Sequence, residues 1–471
     1  MALRFDNTYS NLPAAFFTAL RPVPVASPSL IKFNDSLAQI LGVSADDFVD
    51  IAATFSGNSL PKGASPLAQL YAGHQFGHWT PQLGDGRAIL LGEIIGVDGK
   101  RRDLQLKGSG PTPYSRSADG RAWLGPVLRE YLVSEAMYAL GIPTTRALAA
   151  VKTSEPVYRE TGALPGAILT RVASSHLRVG TFQIFAARGD VANLKRLTEY
   201  AISRHYPEVD GPLGLLCAVC QEQAKLIAQW MAVGFIHGVM NTDNCTISGE
   251  TIDYGPCAFM DVYHPDTVYS SIDHFGRYAY SNQPKVILWN LAQFGSALIQ
   301  QFENPKTEVE KANEIISEMT QQIKNEQNRL FMRKIGITDG DAKDIQLVTQ
   351  LLEMMTESKV DFTNTFVDLT DGTEVKSFAD PTAFAQWSEA WKLRLKKQAN
   401  PTKVMQAANP YYIPRNHRIE EVIVAALQDD FQPFKRLLRV LGRPFEHHPE
   451  DTDLRAPPKP HEVVSATFCG T

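Results

Sequence analysis

The arrangement of apolar and polar positions changes character along the chain. Between residues 80 and 107 apolar and polar positions alternate with a period of two. RAILLGEIIG (87–96), the turn VDGK (97–100) and RRDLQLKG (101–108) predict a β-hairpin, led in by the glycine-rich turn LGDGR (83–87). Leu124, Val127, Leu128, Tyr131, Leu132 and Met137 then recur at spacings of three and four. This predicts an amphipathic helix over 124–140, ended by Gly141 and Pro143. Strand-like runs follow at 146–152 and 166–173. From about residue 190 the pattern turns helical. Leu216, Val219, Cys220, Leu226, Ile227, Trp230 and Met231 share one face of a helix over 214–233. Further helices are expected at 286–302, 305–333, 341–358, 383–396 and 418–441. Residues 1–60 read as a proline-containing arm with short helices around 29–41 and 45–54. The last 25 or so residues, rich in Pro, His and charge, read as an extended tail.

This order predicts an α+β protein: an arm over 1–60, a strand-rich lobe over 61–180, a helical lobe over 181–300, and a helical extension with a tail over 301–471. It matches the bilobal plan of protein kinases, in which a nucleotide sits between the lobes. The 471 residues are 44% hydrophobic and 21% charged, which excludes a disordered chain. A formal charge of −5 gives no global pull toward nucleic acid or anionic membranes, so neither is an expected partner. An anionic ligand therefore needs a local cluster of basic groups. No apolar run reaches the length of a membrane span, and the N-terminus has neither a signal core nor a transit-peptide composition. The expectation is a cytoplasmic monomer. Five cysteines, an odd and sparse set, argue against a disulfide framework.

HGVMNTDNCTISGETIDYGP (237–256) carries the chemistry. Kinases place H-R-D-x-x-x-x-N ahead of D-F-G. Here His237 and Asn244 keep that spacing and Asp253-Tyr254-Gly255 stands for D-F-G, but Val239 occupies the position of the catalytic aspartate. A kinase-type site also needs a strand lysine and a helix glutamate that orients it. Lys107, closing the second hairpin strand, and Glu130, near the start of the next helix, are the candidates. Glu130 lies off the strongest core positions of that helix, which would let it face the cleft. Asn244 and Asp253 would hold a hard cation, Mg²⁺ or Mn²⁺, through oxygen. Each residue alone has a plain structural alternative: a turn aspartate, a surface ion pair, a solvated lysine.

Three longer blocks sharpen the reading: YAGHQFGHWTPQLGDGRAILLGE (71–93), LQLKGSGPTPYSRSADGRAWLGPVLREYLVSEAM (104–137) and HGVMNTDNCTISGETIDYGPCAFMD (237–261). They resemble the signature blocks of the selenoprotein O family, and the likeness runs from FDNTYSNLP to the Cys-Gly-Thr end. The resemblance implies a kinase-like fold and protein adenylyltransferase activity: AMP passes from ATP, turned around in the cleft, to a Ser, Thr or Tyr hydroxyl, with UTP and Mn²⁺ as a further pairing. It also implies roles. Asp243 is the proton acceptor, and Asn244 and Asp253 bind the metal, with Asp253 also at the nucleotide. Lys107, held by Glu130, sits on phosphate. Gly84, Gly86, Arg87, Asp119 and Gly120 contact the nucleotide, and Arg171 and Arg178 contact phosphates. A catalytically silent ATP-binding scaffold and a small-molecule kinase are the alternatives.

One departure concerns the C-terminus. In some members a cysteine after the metal-binding aspartate pairs with the tail, but VYSSID (268–273) has none, which puts such a switch through Cys469 in doubt. Three features are set aside. His74 and His78 are interrupted by glycines. Cys217 and Cys220 lie in an apolar helix without a second pair. Asn244-Cys-Thr is a formal glycosylation sequon only.

Overall fold

The structure is a computed structural model and describes residues 3–160, 162–373 and 378–468. The arm supplies strands β1 (Phe17–Ala19) and β2 (Ser29–Phe33) and helices α1 (Asp35–Leu41) and α2 (Ile51–Ser56). Then come β3 (Leu67–Gln75), β4 (His78–Gly84), β5 (Ala88–Ile95), β6 (Arg101–Lys107), β7 (Ala122–Trp123), α3 (Leu124–Ala139), β8 (Arg146–Arg159) and β9 (Gly162–Ala173). Among the described residues these nine strands form one antiparallel sheet in the order β1-β3-β5-β6-β9-β8-β2, with β4 on β3 and β7 on β9.

Alternation sorts the sheet's two faces. Leu104 and Leu106 of β6 join Leu91, Ile168 and Val172 on the face that packs against Phe33, Leu37, Leu41 and Phe55 of the arm. Asp103, Gln105 and Lys107, offset by one residue, are buried too, and the apolar residues on their side, Leu90, Leu169 and Ala147, pack toward α3 and the helical lobe. A polar stripe therefore runs down the inner face of the sheet.

The helical lobe comprises α4 (Val179–Ala187), α5 (Val191–His205), α6 (Gly211–Ala232) and α7 (Gln283–Leu298), and α8 (Pro305–Lys334), the first helix of the extension, packs along α6. The short pair β10 (Phe235–Ile236) and β11 (Ala258–Phe259) frames residues 237–256. The extension adds α9 (Ala342–Ser358), α10 (Phe362–Asp371), α11 (Pro381–Leu395), α12 (Pro401–Gln406), α13 (Asn416–Ala426), α14 (Gln432–Leu441) and α15 (Thr452–Arg455). It returns to the first lobe. Phe434 of α14 packs edge-on against Tyr131 of α3 at 5.6 Å, and Arg129 of α3 pairs with Glu420 of α13 at 2.6 Å. Arg415, buried, ties Asp361 at 2.8 Å to Asp261. The architecture is a bilobal, protein-kinase-like α+β fold. No helix among the described residues is long and apolar enough to cross a membrane.

Helices α10, α12 and α15 were not expected, the helix expected at 45–54 is a short turn followed by α2, and three further departures have a plain physical cause. Residues 29–33 form strand β2 on β8 and not a helix; the helix starts only at Asp35, where the Asn34 side chain accepts the Leu37 N–H at 3.2 Å. The expected helix over 418–441 is two helices, because Asp429 takes φ 62° and Pro433 opens α14. Strand β3 was not expected. Its burial is nearly continuous from Leu67 to Gly73, so no period of two marks it.

Candidate active site

The loop after β10 is built around His237, buried and stacked on Trp230 at 5.3 Å. Its Nε2–H donates to the Ile252 carbonyl at 2.8 Å, and its Nδ1 accepts the Val239 N–H at 3.3 Å. One ring thus clamps the loop at both ends, and burial holds its pKa below the usual imidazole value. The Val239 side chain is buried and cannot move a proton. Its carbonyl accepts the Asn244 amide N–H at 3.0 Å. That engages the nitrogen of Asn244 and leaves Oδ1 as the atom able to ligate.

Asp243 sits on the short turn Thr242–Asn244. Its Oδ2 accepts the Gln75 amide at 3.1 Å, while Oδ1 is buried with no hydrogen-bond partner. Burial pushes this carboxyl up to about 6, against the lowering effect of Arg178 and Gln75. The β3–β4 hairpin of the upper lobe reaches down to hold the loop. The His74 N–H donates to Thr242 Oγ1 at 2.7 Å, and the Phe76 N–H donates to Asn241 Oδ1 at 3.0 Å. Gly73 permits this approach, since a Cβ there would lie 3.1 Å from Asp243 Oδ1 and 3.0 Å from Thr242 Oγ1.

Asp253 adopts φ 63°, the left-handed region, ahead of Gly255. Its Oδ1 receives Lys107 Nζ at 2.6 Å and Arg171 Nη1 at 2.8 Å, and its Oδ2 lies 3.9 Å from Arg178. Burial would raise this carboxyl, but Lys107, Arg171 and Arg178 outweigh it and hold it well below the usual carboxylate range. Lys107 also meets Glu130 Oε2 at 2.6 Å, and Arg171 reaches Glu130 Oε1 at 3.3 Å. Glu130 is buried against these cations, more deeply than its place on the helix pattern predicts.

A second layer holds the arginines. Gln105 Oε1 accepts Arg171 Nη2 at 2.7 Å and Nε at 3.2 Å. Asp85, buried inside LGDGR, lies 3.8 Å from Arg178 and accepts the Gln105 amide and the Gln69 N–H, each at 3.1 Å. Burial raises the Asp85 carboxyl above its ordinary value, with Arg178 the main opposing charge. Arg178 also lies 4.4 Å over the Tyr71 ring. Sequence reasoning missed Asp85, Gln105 and Gln75. Two signals were available: Gln105 sits two residues before Lys107 on the same strand face, and Asp85 lies between the two glycines already singled out.

All the sequence-derived residues line one cavity of about 720 Å³: Gly84, Gly86, Arg87, Lys107, Asp119, Gly120, Glu130, Arg171, Arg178, Asp243, Asn244 and Asp253. They do not all share the same immediate neighbours. The Asp119 carboxylate is engaged by Arg159 at 2.8 Å. Gly84 and Gly86 are glycines for a packing reason as well, since a Cβ would fall 2.5 Å and 2.9 Å from Tyr114. Among the described residues no group of three or more His, Cys, Asp or Glu is placed to hold a metal ion. Asn244 and Asp253 offer two oxygen donors of the hard type, and a cation there would draw its remaining ligands from phosphate and water. His74 and His78 lie on separate strands, and the His74 ring pairs with the Gln183 amide at 3.0 Å. Thr467 lies against the loop that carries Asp253: its Oγ1 donates to the Pro256 carbonyl at 2.6 Å. Cys469 lies outside the described residues.

A family model described as "Protein adenylyltransferase SelO" matches residues 1–442. Among curated relatives, a protein nucleotidyltransferase YdiU of Roseobacter denitrificans is 62% identical over 467 residues, 99% of each chain. One of Ruegeria pomeroyi is 60% identical over 471 residues, 100% of each chain. One of Rhizobium meliloti is 55% identical over 489 aligned positions, again 100% of each. With its kinase-like cleft and full-length relatives of this name, the chain belongs to the SelO family and is a nucleotidyltransferase.

Proposed function

We propose that the enzyme transfers AMP from ATP to a Ser, Thr or Tyr hydroxyl of a protein and releases pyrophosphate. The observation that carries this reading is Asp243. It is a buried carboxylate with one oxygen held by Gln75, the other unpartnered, and a pKa of about 6. It shares a cavity with Lys107, Arg171 and Arg178 and with the oxygens of Asn244 and Asp253. Asp243 is also the one carboxylate in HGVMNTDN, where Val239 cannot act as a base.

In this reading Asp243 takes the proton of the acceptor hydroxyl. The hydroxyl oxygen bonds to the α-phosphorus, the bond from that phosphorus to the bridging oxygen breaks, and pyrophosphate leaves with the electron pair. Arg171 and Arg178 grip the β- and γ-phosphates, which the guanidinium fork suits. Lys107, fixed by Glu130, adds a point charge. Mg²⁺ or Mn²⁺ on Asn244 and Asp253, when bound, neutralises triphosphate charge. Gly84, Gly86, Arg87, Asp119 and Gly120 complete the nucleotide site. UMP transfer from UTP with Mn²⁺ would use the same groups.

The test is incubation with metal and with ATP labelled at the α- or the γ-phosphate, beside Asp253→Ala. Metal-dependent label on protein from the α-phosphate alone, lost in Asp253→Ala, is expected. Label from the γ-phosphate with ADP release would replace this reading with phosphoryl transfer. ATP binding without any label would leave a nucleotide-binding scaffold.

A further inference from the structure

Beside the nucleotide cavity lies a second opening that no step above uses. It is bounded by the β3–β4 turn, the segment 272–277 and α7, and has a volume of about 610 Å³. Phe76 and Ile272 line both openings, so the two are neighbours across one shared wall.

This wall is apolar and basic together. Phe275 is 99% exposed and Ile272 49% exposed, and both project from one short segment at the opening. Arg277 and Lys285 form no ion pair among the described residues. Arg277 lies instead 4.8 Å over the Trp289 ring, with its Nε buried and without a hydrogen-bond partner. The acid of this wall, Asp273, is buried and turned onto the chain, accepting the N–H groups of Arg277 at 2.9 Å and Tyr278 at 2.8 Å. The base of the segment is pinned by the tail: the Ser271 N–H donates to the Thr467 carbonyl at 3.0 Å, and the Thr467 N–H donates to the Tyr269 carbonyl at 2.7 Å. On a chain of formal charge −5, this is a local reversal of sign beside the reactive carboxylate.

We propose that this groove docks the acceptor polypeptide, and that the acceptor is an acidic segment carrying Asp or Glu and one bulky apolar side chain close to the modified hydroxyl. The inference rests on the reading of the cleft as a protein-hydroxyl site. The cations select the acid by charge complementarity, and the exposed Ile272 and Phe275 receive the apolar side chain.

The test uses two fluorescent peptides with the same Ser hydroxyl and Phe, one flanked by Asp and Glu, the other by Lys. Anisotropy with the full-length enzyme should give affinity about tenfold tighter for the acidic peptide at low salt, with the preference shrinking as ionic strength rises. Lys285→Glu and Arg277→Glu should each reduce or invert that preference. Lys285 is an exposed residue of α7, so its variant keeps the test decisive if Arg277→Glu disturbs the packing on Trp289. Equal affinity for both peptides, or a preference unmoved by Lys285→Glu, would overturn the proposal. AMP transfer is read separately on the same peptides with α-labelled ATP. Transfer without charge preference removes the groove and keeps the AMP reading. Charge-selective binding without transfer does the reverse.

Discussion

Replacing Asp243 with Asn keeps the shape of the side chain and removes its basicity. The expected loss in kcat/KM is about 10²–10⁴-fold, the range of a positioned general base. The pH profile of the unaltered enzyme makes the assignment specific. With its pKa raised to about 6 by burial, Asp243 is roughly 90% ionised at pH 7 and roughly 10% at pH 5. The ionised form is the active one, so the rate should rise with pH, about tenfold between those values. A carboxyl near its ordinary value of 3.8 would lose only a few per cent over the same interval. Gln75 donates to Asp243 Oδ2 and so favours the charged form. Gln75→Leu should therefore move the rising limb to higher pH, slowing the reaction more at pH 6 than at pH 8. The assay is initial-rate transfer of α-labelled AMP across this range, with ATP affinity measured in parallel as the control for folding. Activity of Asp243→Asn within about threefold of the parent, or a flat profile from pH 5 to pH 7, would refute the assignment, since a base must contribute at least that much.

The remaining predictions concern what holds the site in place. Asp85→Asn should loosen Arg178 and raise the KM for ATP roughly tenfold, with a smaller effect on kcat, because Asp85 lies 3.8 Å from Arg178 and accepts from Gln69 and Gln105. An unchanged KM would mean that Arg178 needs no such support. Phe434→Ala should cost about 3–5 kcal/mol of stability, because the ring is fully buried against Tyr131 of α3. It should also lower kcat/KM if α3 must be braced to present Glu130; a stability loss at constant kcat/KM would sever that link. Lys334 is buried over the Phe366 ring at 4.4 Å, and burial lowers its pKa from 10.5 to about 7. The unfolded chain therefore binds the extra proton between those values, so stability should rise with pH across that window and show the full penalty below it. Lys334→Met should raise stability at pH 7 by roughly 3–5 kcal/mol and flatten that slope in urea titrations; a destabilised or equally pH-dependent variant would contradict the burial argument.

The sequence made parts of this architecture legible where a local signal existed. Strand β6 could be read because Leu104 and Leu106 alternate with Asp103, Gln105 and Lys107, and α3 because its apolar residues recur at helical spacing. The loop over 237–256 was legible as a motif, and the structure brings all twelve motif-derived residues to the lining of one cavity. Strand β3 was hidden because it is buried almost throughout, packed on α4 and on the loop over 237–256 that Gly73 admits. The break between α13 and α14 was marked in the sequence by Pro433, which opens α14, while nothing local marks Asp429 for the left-handed region.

What no local pattern could supply is the pairing of polar groups distant in sequence. Gln105 meets Arg171 because β6 and β9 pair in that register, and the same register places Lys107 one step further along the strand, toward Glu130 and Asp253. Read alone, Asp85 is a turn residue, Gln105 a strand polar and Glu130 a helix-surface acid. Their burial only makes sense once each has a partner of opposite sign or hydrogen-bonding character, since an unpaired charge at that depth would not persist. Polar residues that break a buried periodicity were thus the strongest unread signal. On the strand holding Lys107, the positions two and four residues ahead of it, Gln105 and Asp103, are polar and buried on the inner face. Alternation within RRDLQLKG alone puts these three polar side chains on one face, opposite Leu104 and Leu106, and Lys107 at the end of that face lines the cleft.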